Sequence, residues 1–307
     1  MDDQRQAPHA SPAAATPAFA GPALAGLATR LPPHIWFAVS AVFHYLGPAF
    51  AVLLFAQVGV LGMAWLRVAT AALVFAPLTR AWRTFASADP PTRLLLVAFG
   101  ACLAVMNCSF YLALDRLPIS LVAAIEFAGT IGVALAGLRS ARNLAALAVA
   151  VTGTLLLIHV KWSTDPVGLV WAFLNGALFV GYIVLGHRVA RAGAGDGIAG
   201  LGAAMAVAFV VVLPVGFADA LSAFLSPPLL VAAIGVGICS SVIPYVCDQL
   251  AMARLPRASF ALMLSLLPVT ATLIGVVVLR QVPGPSDCLG IALVVAGVAL
   301  HRPASAG

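Results

Sequence analysis

Residues 114–118 read Leu114-Asp115-Arg116-Leu117-Pro118, and residues 252–256 read Met252-Ala253-Arg254-Leu255-Pro256. Each stretch lies at a corner between two long apolar segments, and the surrounding segments also match in pattern. Further matched positions at similar shifts are Trp36 with Trp171, and Gly153 with Gly297. The chain is therefore predicted to contain two repeats, residues 34–159 and 167–301. Each repeat holds five apolar segments, and because five is an odd number the second repeat enters a membrane in the opposite orientation.

The apolar segments are long enough to cross a bilayer. A spanning helix needs roughly 20 mostly apolar residues, and 63% of the 307 residues are hydrophobic, whereas 8% are charged. The mean hydropathy is +1.08. The sequence predicts an all-α integral membrane protein with ten transmembrane helices, arranged as two inverted five-helix repeats. The predicted spans are 34–56, 58–79, 94–114, 118–138, 143–159, 167–187, 198–218, 228–251, 257–279 and 286–301.

The placement of the basic residues, which give the chain its net charge of +6, indicates how the chain is oriented in a membrane. If both termini are cytoplasmic, most of the 16 basic residues lie on the cytoplasmic side, as the positive-inside rule predicts. These are Arg5, Arg30, Arg80, Arg83, Arg93, Arg139, Arg142, Arg188, Arg191, Arg254, Arg257 and Arg302. We expect a multi-pass protein of the bacterial inner (plasma) membrane whose N- and C-termini are cytoplasmic, and no nucleic-acid partner.

The remaining sequence features add no enzymatic chemistry. Residues 1–33 are rich in Ala and Pro and are predicted to be a disordered cytoplasmic tail. Residues 193–200 fit GxGxxG and GxGD patterns, but they follow two arginines in a predicted cytoplasmic loop, so we interpret them as a linker. Metalloprotease, serine-hydrolase and Walker motifs are absent. We expect no enzyme activity, no cofactor and no metal site.

Two ionisable residues lie deep in predicted spans, where a charge costs about 3 kcal/mol or more and faces a cavity or a partner. Glu126 is in the fourth span and Arg67 in the second. Each precedes a cytoplasmic-end arginine by 13 residues, which gives them equal depth. Glu126 is interpreted as a cation or proton site, as the structural partner of Arg67, or as both. Arg67 either locks the bundle or binds a substrate carboxylate.

Other polar residues in the spans have two interpretations each. Asp248, which follows Pro244 and Tyr245, either receives substrate or a proton from the cytoplasm or is balanced by Arg254 or Arg257. His44 either relays a proton or packs as a hydrogen-bonded histidine. The remaining candidates either line a polar cavity or form interhelical hydrogen bonds; they are Asn107, Tyr111, Asn175, Tyr182 and Tyr245.

Several of these residues belong to longer motifs. The first repeat contains Met106-Asn107, Phe110-Tyr111-Leu112, Leu117-Pro118, and Glu126-Phe127 with Gly129. The second contains Pro244-Tyr245 with Asp248, then Ala253-Arg254-Leu255-Pro256 and Pro268. Over residues 34–301 the chain resembles the threonine and homoserine exporters of the EamA family, in the drug/metabolite transporter (DMT) superfamily.

The resemblance implies a ten-helix secondary carrier that exports small amino acids by antiport with protons. It places Glu126, Arg67, Asp248 and Tyr182 on positions where those exporters carry a glutamate, an arginine, an acidic residue and a tyrosine. Two departures are Gln281, where relatives often have glutamate, and Leu267, where they have a polar or acidic residue. If either position serves coupling in relatives, this protein couples differently or not at all.

The expected partners are a small-molecule substrate, protons and the lipid bilayer; the sequence leaves the oligomeric state open. Export of another polar metabolite or of a cationic drug is the alternative within transport. A non-transporting receptor or scaffold is the alternative of another class. Inverted repeats are typical of secondary transporters, which rock two halves around a site near the bilayer midplane, and a scaffold has no need of two opposed halves.

Overall fold

The computed structural model describes residues 31–127, 140–159, 165–191, 197–252, 254–255, 260, 263–264 and 266–300. Most of these residues are helical, and none of them forms a β-strand. Six of the described helices are long and apolar enough to cross a bilayer, and three shorter apolar helices accompany them. Large apolar side chains cover the outer surface, among them Leu73, Leu225 and Val277, which are each more than 70% exposed. An exterior of this kind is stable in hydrocarbon, and the predicted all-α membrane fold is confirmed.

The helices are numbered here in chain order. The first half contains α1 (Pro33–Val58), α2 (Val60–Thr79), α3 (Ala81–Ser87), α4 (Pro90–Leu114), α5 (residues 119–127) and α6 (Ala141–His159). The second half contains α7 (Pro166–Arg191), α8 (Gly197–Phe224), α9 (Pro227–Gly237), a π-helical turn (Ile238–Val242), α10 (Ile243–Met252), α11 (Leu266–Leu279) and α12 (Pro285–Leu300).

The predicted spans agree with these helices where they can be compared. Most boundaries differ by four residues or fewer, and the eighth span consists of α9, the π turn and α10 in succession. The short helix α3 was not predicted, because its seven residues contain too few apolar positions to register as a span. Parts of the fourth and ninth predicted spans, residues 1–30 of the tail, and linker residues 193–196 lie outside the described residues.

A single residue, Gly59, connects α1 to α2. Its φ is 79°, in the region that favours glycine because an L side chain would clash with its own backbone. Its N–H donates to the carbonyl of Phe55 at 2.8 Å, and its carbonyl accepts from Met63 at 3.0 Å. The last turn of α1 and the first turn of α2 are thus hydrogen-bonded to the same residue.

The principal helix contacts join the first half of the chain to the second. Helix α2 packs along α8, α6 along α12, α4 along both α7 and α8, and α1 against the π turn, α10 and α11. With the spans numbered one to ten along the chain, each span of the first half has a counterpart five places later in the second half. When counterparts are exchanged, the contact between spans one and eight becomes the contact between spans six and three. The contacts between spans two and seven and between spans five and ten are unchanged by the exchange.

Small residues allow these helices to approach closely, as is common where helices pack in lipid. A Cβ at Gly153 would meet Gly290 of α12, and a Cβ at Gly297 would meet Ala146 of α6. The crossing of α6 with α12 is therefore reciprocal, with one glycine on each helix.

Candidate functional site

Glu126 is buried at the centre of the bundle and accepts one hydrogen bond on each carboxyl oxygen. The hydroxyl of Tyr45, on α1, donates to Oε2 at 2.7 Å. The Nδ2 group of Asn175, on α7, donates to Oε1 at 2.8 Å. The side chain is only 2% exposed. Both donors are neutral, so no cation among the described residues is paired with this carboxyl group.

Arg67 is also buried, and it bonds to the π turn of the eighth span. Its Nε donates to Oγ of Ser241 at 2.8 Å, and its Nη2 donates to the carbonyl of Ser240 at 2.8 Å. A π turn widens the helix and changes the direction of its carbonyls, and such turns are frequent at functional sites. The guanidinium carbon lies 5.6 Å from the ring centre of Phe110 and 5.4 Å from that of Tyr111, within the range of cation–π contacts.

The ion pair between Arg67 and Glu126 that their equal depth suggested does not form. Both residues lie in the described part of the chain, and each binds neutral groups instead. They nevertheless line the same small cavity. In this conformation Glu126 and Arg67 therefore interact across the cavity without a direct ion pair, because serine, tyrosine and asparagine groups supply their hydrogen bonds. The role of Glu126 as the structural partner of Arg67 stays a prediction.

The cavity at this point is small. Its volume is about 10 Å³, which is room for about one water molecule. A whole amino acid does not fit into this conformation. The residues that line it are His44, Arg67, Met106, Asn107, Phe110, Glu126, Asn175 and Phe179.

His44 lies in this lining and packs against aromatic rings. Its ring centre is 5.1 Å from that of Tyr45 and 6.0 Å from that of Phe179, both in edge contacts. The side chain is 7% exposed. These ring contacts agree with the interpretation of His44 as a packing residue. His44 also lines the same cavity as Glu126, and the interpretation as a proton relay stays a prediction.

Asp248 lies in a second polar cluster. The hydroxyl of Ser40, on α1, donates to Oδ1 at 2.5 Å and also lies 3.3 Å from the carbonyl of Pro244. Arg254 does not balance this carboxyl group: its Nη1 donates to the carbonyl of Leu31 at 2.9 Å. The second arginine proposed for that role, Arg257, lies outside the described residues.

Aromatic rings connect the two polar clusters. The rings of Phe179 and Tyr182 are stacked with centres 5.8 Å apart, and those of Tyr182 and Tyr245 are 5.7 Å apart. Tyr245 lies one turn before Asp248 on α10. The candidate residues of both repeats thus form one continuous buried region.

Five predicted site residues share one further property. Among the described residues, each carries a buried oxygen without a hydrogen bond of good geometry, namely Oδ1 of Asn107 and Asn175 and the hydroxyls of Tyr111, Tyr182 and Tyr245. An unsatisfied buried polar group costs about 1–3 kcal/mol, so a cluster of them is unusual in a purely structural core. The Tyr111 hydroxyl nevertheless interacts with the side chains of Ser240 and Arg67, and the Tyr245 hydroxyl with that of Asn107, so these two tyrosines do contact neighbouring helices.

The sequence analysis missed four residues that bind the charged groups: Ser40, Tyr45, Ser240 and Ser241. A signal for them existed, since polar side chains inside an apolar span tend to bond across helices. The two departures from the exporters, Leu267 and Gln281, do not line the cavity.

Comparisons with known proteins agree with this arrangement. Residues 166–301 match the EamA-like transporter family. The chain is 29% identical over 253 residues to the threonine/homoserine exporter RhtA of Escherichia coli, across 81% of this chain and 84% of the relative. The protein of the same name from Salmonella typhimurium gives the same figures. One solved crystal structure shares the fold, with a TM-score of 0.58 and 19% identity over 87% of this chain and 96% of its own.

Proposed function

We propose, from the match of residues 166–301 to the EamA-like transporter family, that the chain is a secondary transporter of this family that exports small amino acids of the threonine and homoserine type. The exporters from Escherichia coli and Salmonella typhimurium support the substrate class. The apolar exterior supports a multi-pass location in the inner membrane, and the distribution of arginines supports cytoplasmic termini.

The proposal includes two inverted repeats, residues 34–159 and 167–301, that move against each other. Two features support it. The contacts between spans keep their pattern when the halves are exchanged. In addition, Gly47 of α1 packs against Ser240 of the eighth span, while Gly181 of α7 packs against Cys102 of α4. These two crossings occupy equivalent places in the two halves.

One observation carries the proposed chemistry: Glu126 and Arg67 line one buried cavity without pairing with each other. An amino acid at neutral pH carries an ammonium and a carboxylate, so it needs one acceptor site and one donor site of opposite charge. In our proposal the ammonium binds at Glu126 and the carboxylate at Arg67. The arginine then exchanges part of its contact with the π turn for the substrate, because a planar guanidinium suits carboxylates.

Proton antiport completes the proposal. A buried carboxylate without a cationic partner is costly while it is charged, so either a proton or the substrate ammonium stabilises it. We propose that a proton entering Glu126 from outside resets the carrier after the amino acid has left. Asp248 is a second candidate for proton transfer, on the cytoplasmic side, and His44 is a third, because it lines the same cavity as Glu126.

The test is counterflow of labelled threonine and homoserine in liposomes that contain the purified protein, with and without a proton gradient. Wild type should exchange both amino acids and respond to the gradient. Glu126→Gln should insert and fold but lose gradient-driven export. The control is Asp219→Asn, the same chemical change at an exposed position on α8, which should transport normally.

Three results would contradict the proposal in different ways. Normal gradient-driven export by Glu126→Gln would remove the coupling role. Exchange of other polar metabolites or cationic drugs, but of neither amino acid, would favour the alternative substrates. A folded protein that exchanges no solute would favour a receptor or scaffold.

A further inference from the structure

The orientation of the Asn175 amide is fixed by its partner. A carboxylate only accepts hydrogen bonds, so the group that faces Oε1 of Glu126 at 2.8 Å must be the NH2 group. The Oδ1 atom of Asn175 therefore points elsewhere. It is buried and has no hydrogen-bond partner within the described part of the chain, and the whole residue is 0% exposed.

Asn107 has the same arrangement on a different helix. Its Nδ2 donates to the carbonyl of Leu103, one turn earlier on α4, at 2.7 Å. Because a carbonyl also only accepts, the Oδ1 atom of Asn107 is again the free end. Among the described residues this oxygen too is buried without a hydrogen bond of good geometry, although the Tyr245 hydroxyl interacts with the Asn107 side chain. Asn107, Asn175 and Glu126 all line the same cavity.

The residues that line the cavity therefore offer more acceptors than free donors. They include two asparagines whose amide oxygens are unsatisfied and one glutamate, whereas the guanidinium of Arg67 directs its Nε and Nη2 to the π turn. Hydrogen-bond donors are what these acceptors lack. A primary ammonium is about as large as a water molecule, and it brings three N–H donors and a positive charge.

We propose that the amide oxygens of Asn107 and Asn175 form, together with Glu126, a subsite for a primary ammonium group. The inference rests on the proposed function and adds a rule of selectivity to it. The transporter should accept solutes with an unmethylated ammonium and discriminate against N-methylated ones. Each methyl group replaces one N–H donor, which leaves one buried acceptor unsatisfied, and recognition of this kind is highly selective.

The experiment uses the wild-type protein in liposomes and labelled homoserine counterflow. The competitors are threonine, N-methylthreonine and the trimethylated ammonium derivative of threonine. The concentration for half inhibition should be about 10-fold higher for N-methylthreonine than for threonine. For the trimethylated derivative the increase should exceed 100-fold. Equal inhibition by all three would overturn the inference.

A variant assigns the selectivity to a residue. Asn107→Leu removes one acceptor and keeps the bond between Asn175 and Glu126, so threonine should bind more weakly and the preference over N-methylthreonine should shrink several-fold. Ser109→Ala is the matched control, since that buried hydroxyl on the same helix bonds only to the carbonyl of Val105. An unchanged preference in Asn107→Leu would contradict the assignment. A purely structural role would lower activity without changing the ratio.

The inference and the proposed function fail in different ways. If wild type exchanges threonine and homoserine but does not distinguish the methylated derivatives, only the ammonium subsite is wrong. If wild type exchanges no amino acid, the proposed function is wrong and the subsite falls with it. The competitor series uses only the wild-type protein. If Asn107→Leu folds poorly, inhibition of wild-type counterflow by the methylated derivatives still tests the ammonium subsite.

Discussion

Tyr45 donates its hydroxyl to Oε2 of Glu126 at 2.7 Å, which links the first span to the fourth. The other carboxyl oxygen is bound by Asn175 from the sixth span. The carboxyl group is therefore bound by one donor from each half of the chain. If the halves move against each other, at least one of these bonds must break or change partner.

The bond from Tyr45 should be measurable as stability. Tyr45→Phe removes a buried hydrogen bond to an acid, and the expected loss in the free energy of unfolding is about 1–3 kcal/mol. Thermal or denaturant unfolding of the purified protein in detergent measures it. Tyr182→Phe is the matched control, because that hydroxyl has no partner, and its removal should cost little or nothing. Equal losses in both variants would contradict the role of Tyr45.

Arg67 should not be replaceable by lysine. A lysine ammonium is a compact charge that cannot reproduce the two directed bonds to Ser240 and Ser241 while lying over two aromatic rings. We expect Arg67→Lys to reduce export at least about 10-fold, whereas Arg83→Lys, at an exposed position, should leave it unchanged. Initial rates of labelled threonine export decide the matter. Wild-type rates in Arg67→Lys would show that charge alone is sufficient.

The crossing of α1 with the eighth span should tolerate no added methyl group at Gly47. A Cβ there would lie 2.5 Å from Cβ of Ser240 and 2.6 Å from its backbone nitrogen. Because backbone cannot yield cheaply, we expect Gly47→Ala to lower the unfolding free energy by about 1–3 kcal/mol. Gly235→Ala, whose added Cβ would have no neighbour within 4 Å, should be neutral. Melting temperatures measured side by side test the difference.

A pH effect is expected outside the membrane, at the start of α7. Asp165 accepts the N–H of Gly168 on Oδ1 at 2.9 Å and an N–H of Arg116 on Oδ2 at 3.1 Å. The backbone bond, supported by the arginine, holds the pKa of this carboxyl group below its usual value. Its stabilisation is therefore complete at neutral pH and is lost as the pH falls below about 4.

The comparison of Asp165→Asn with wild type tests this sign. The variant should melt at a lower temperature at neutral pH, and the gap should close as the pH falls below about 4. Asp89→Asn is the control, because Asp89 precedes α4 without a side-chain cap bond. Its difference in melting temperature from wild type at neutral pH should be small. A gap at Asp165 that widens in acid would contradict the assignment.

The spans could be predicted because bilayer thickness fixes their length and water is excluded from them. The depth of Glu126 and Arg67 could be predicted for the same reason, and both do line one cavity. Their partners could not be predicted. The helical rise per residue gives the depth of a residue in the membrane, but it does not give the helix that faces that residue. Tyr45 and Ser241 were therefore not identified.

The π turn was also beyond reach of the sequence analysis. Residues 238–242 read Ile-Cys-Ser-Ser-Val, which fits an ordinary apolar helix. The extra residue in the turn is tolerated because Arg67 donates a hydrogen bond to the carbonyl of Ser240 and because Gly47 packs closely against the distorted segment. Such tertiary compensation leaves no local pattern in the chain.

The connection at Gly59 has a mechanical consequence. A connection of one residue contains no slack, and its hydrogen bonds to Phe55 and Met63 tie both helix ends to it. Tyr45 is carried by one of these helices and Arg67 by the other. The two helices are therefore expected to move together about this glycine. A displacement of Tyr45, which binds the carboxylate of Glu126, would be transmitted through Gly59 to Arg67, although the two charged groups share no direct bond.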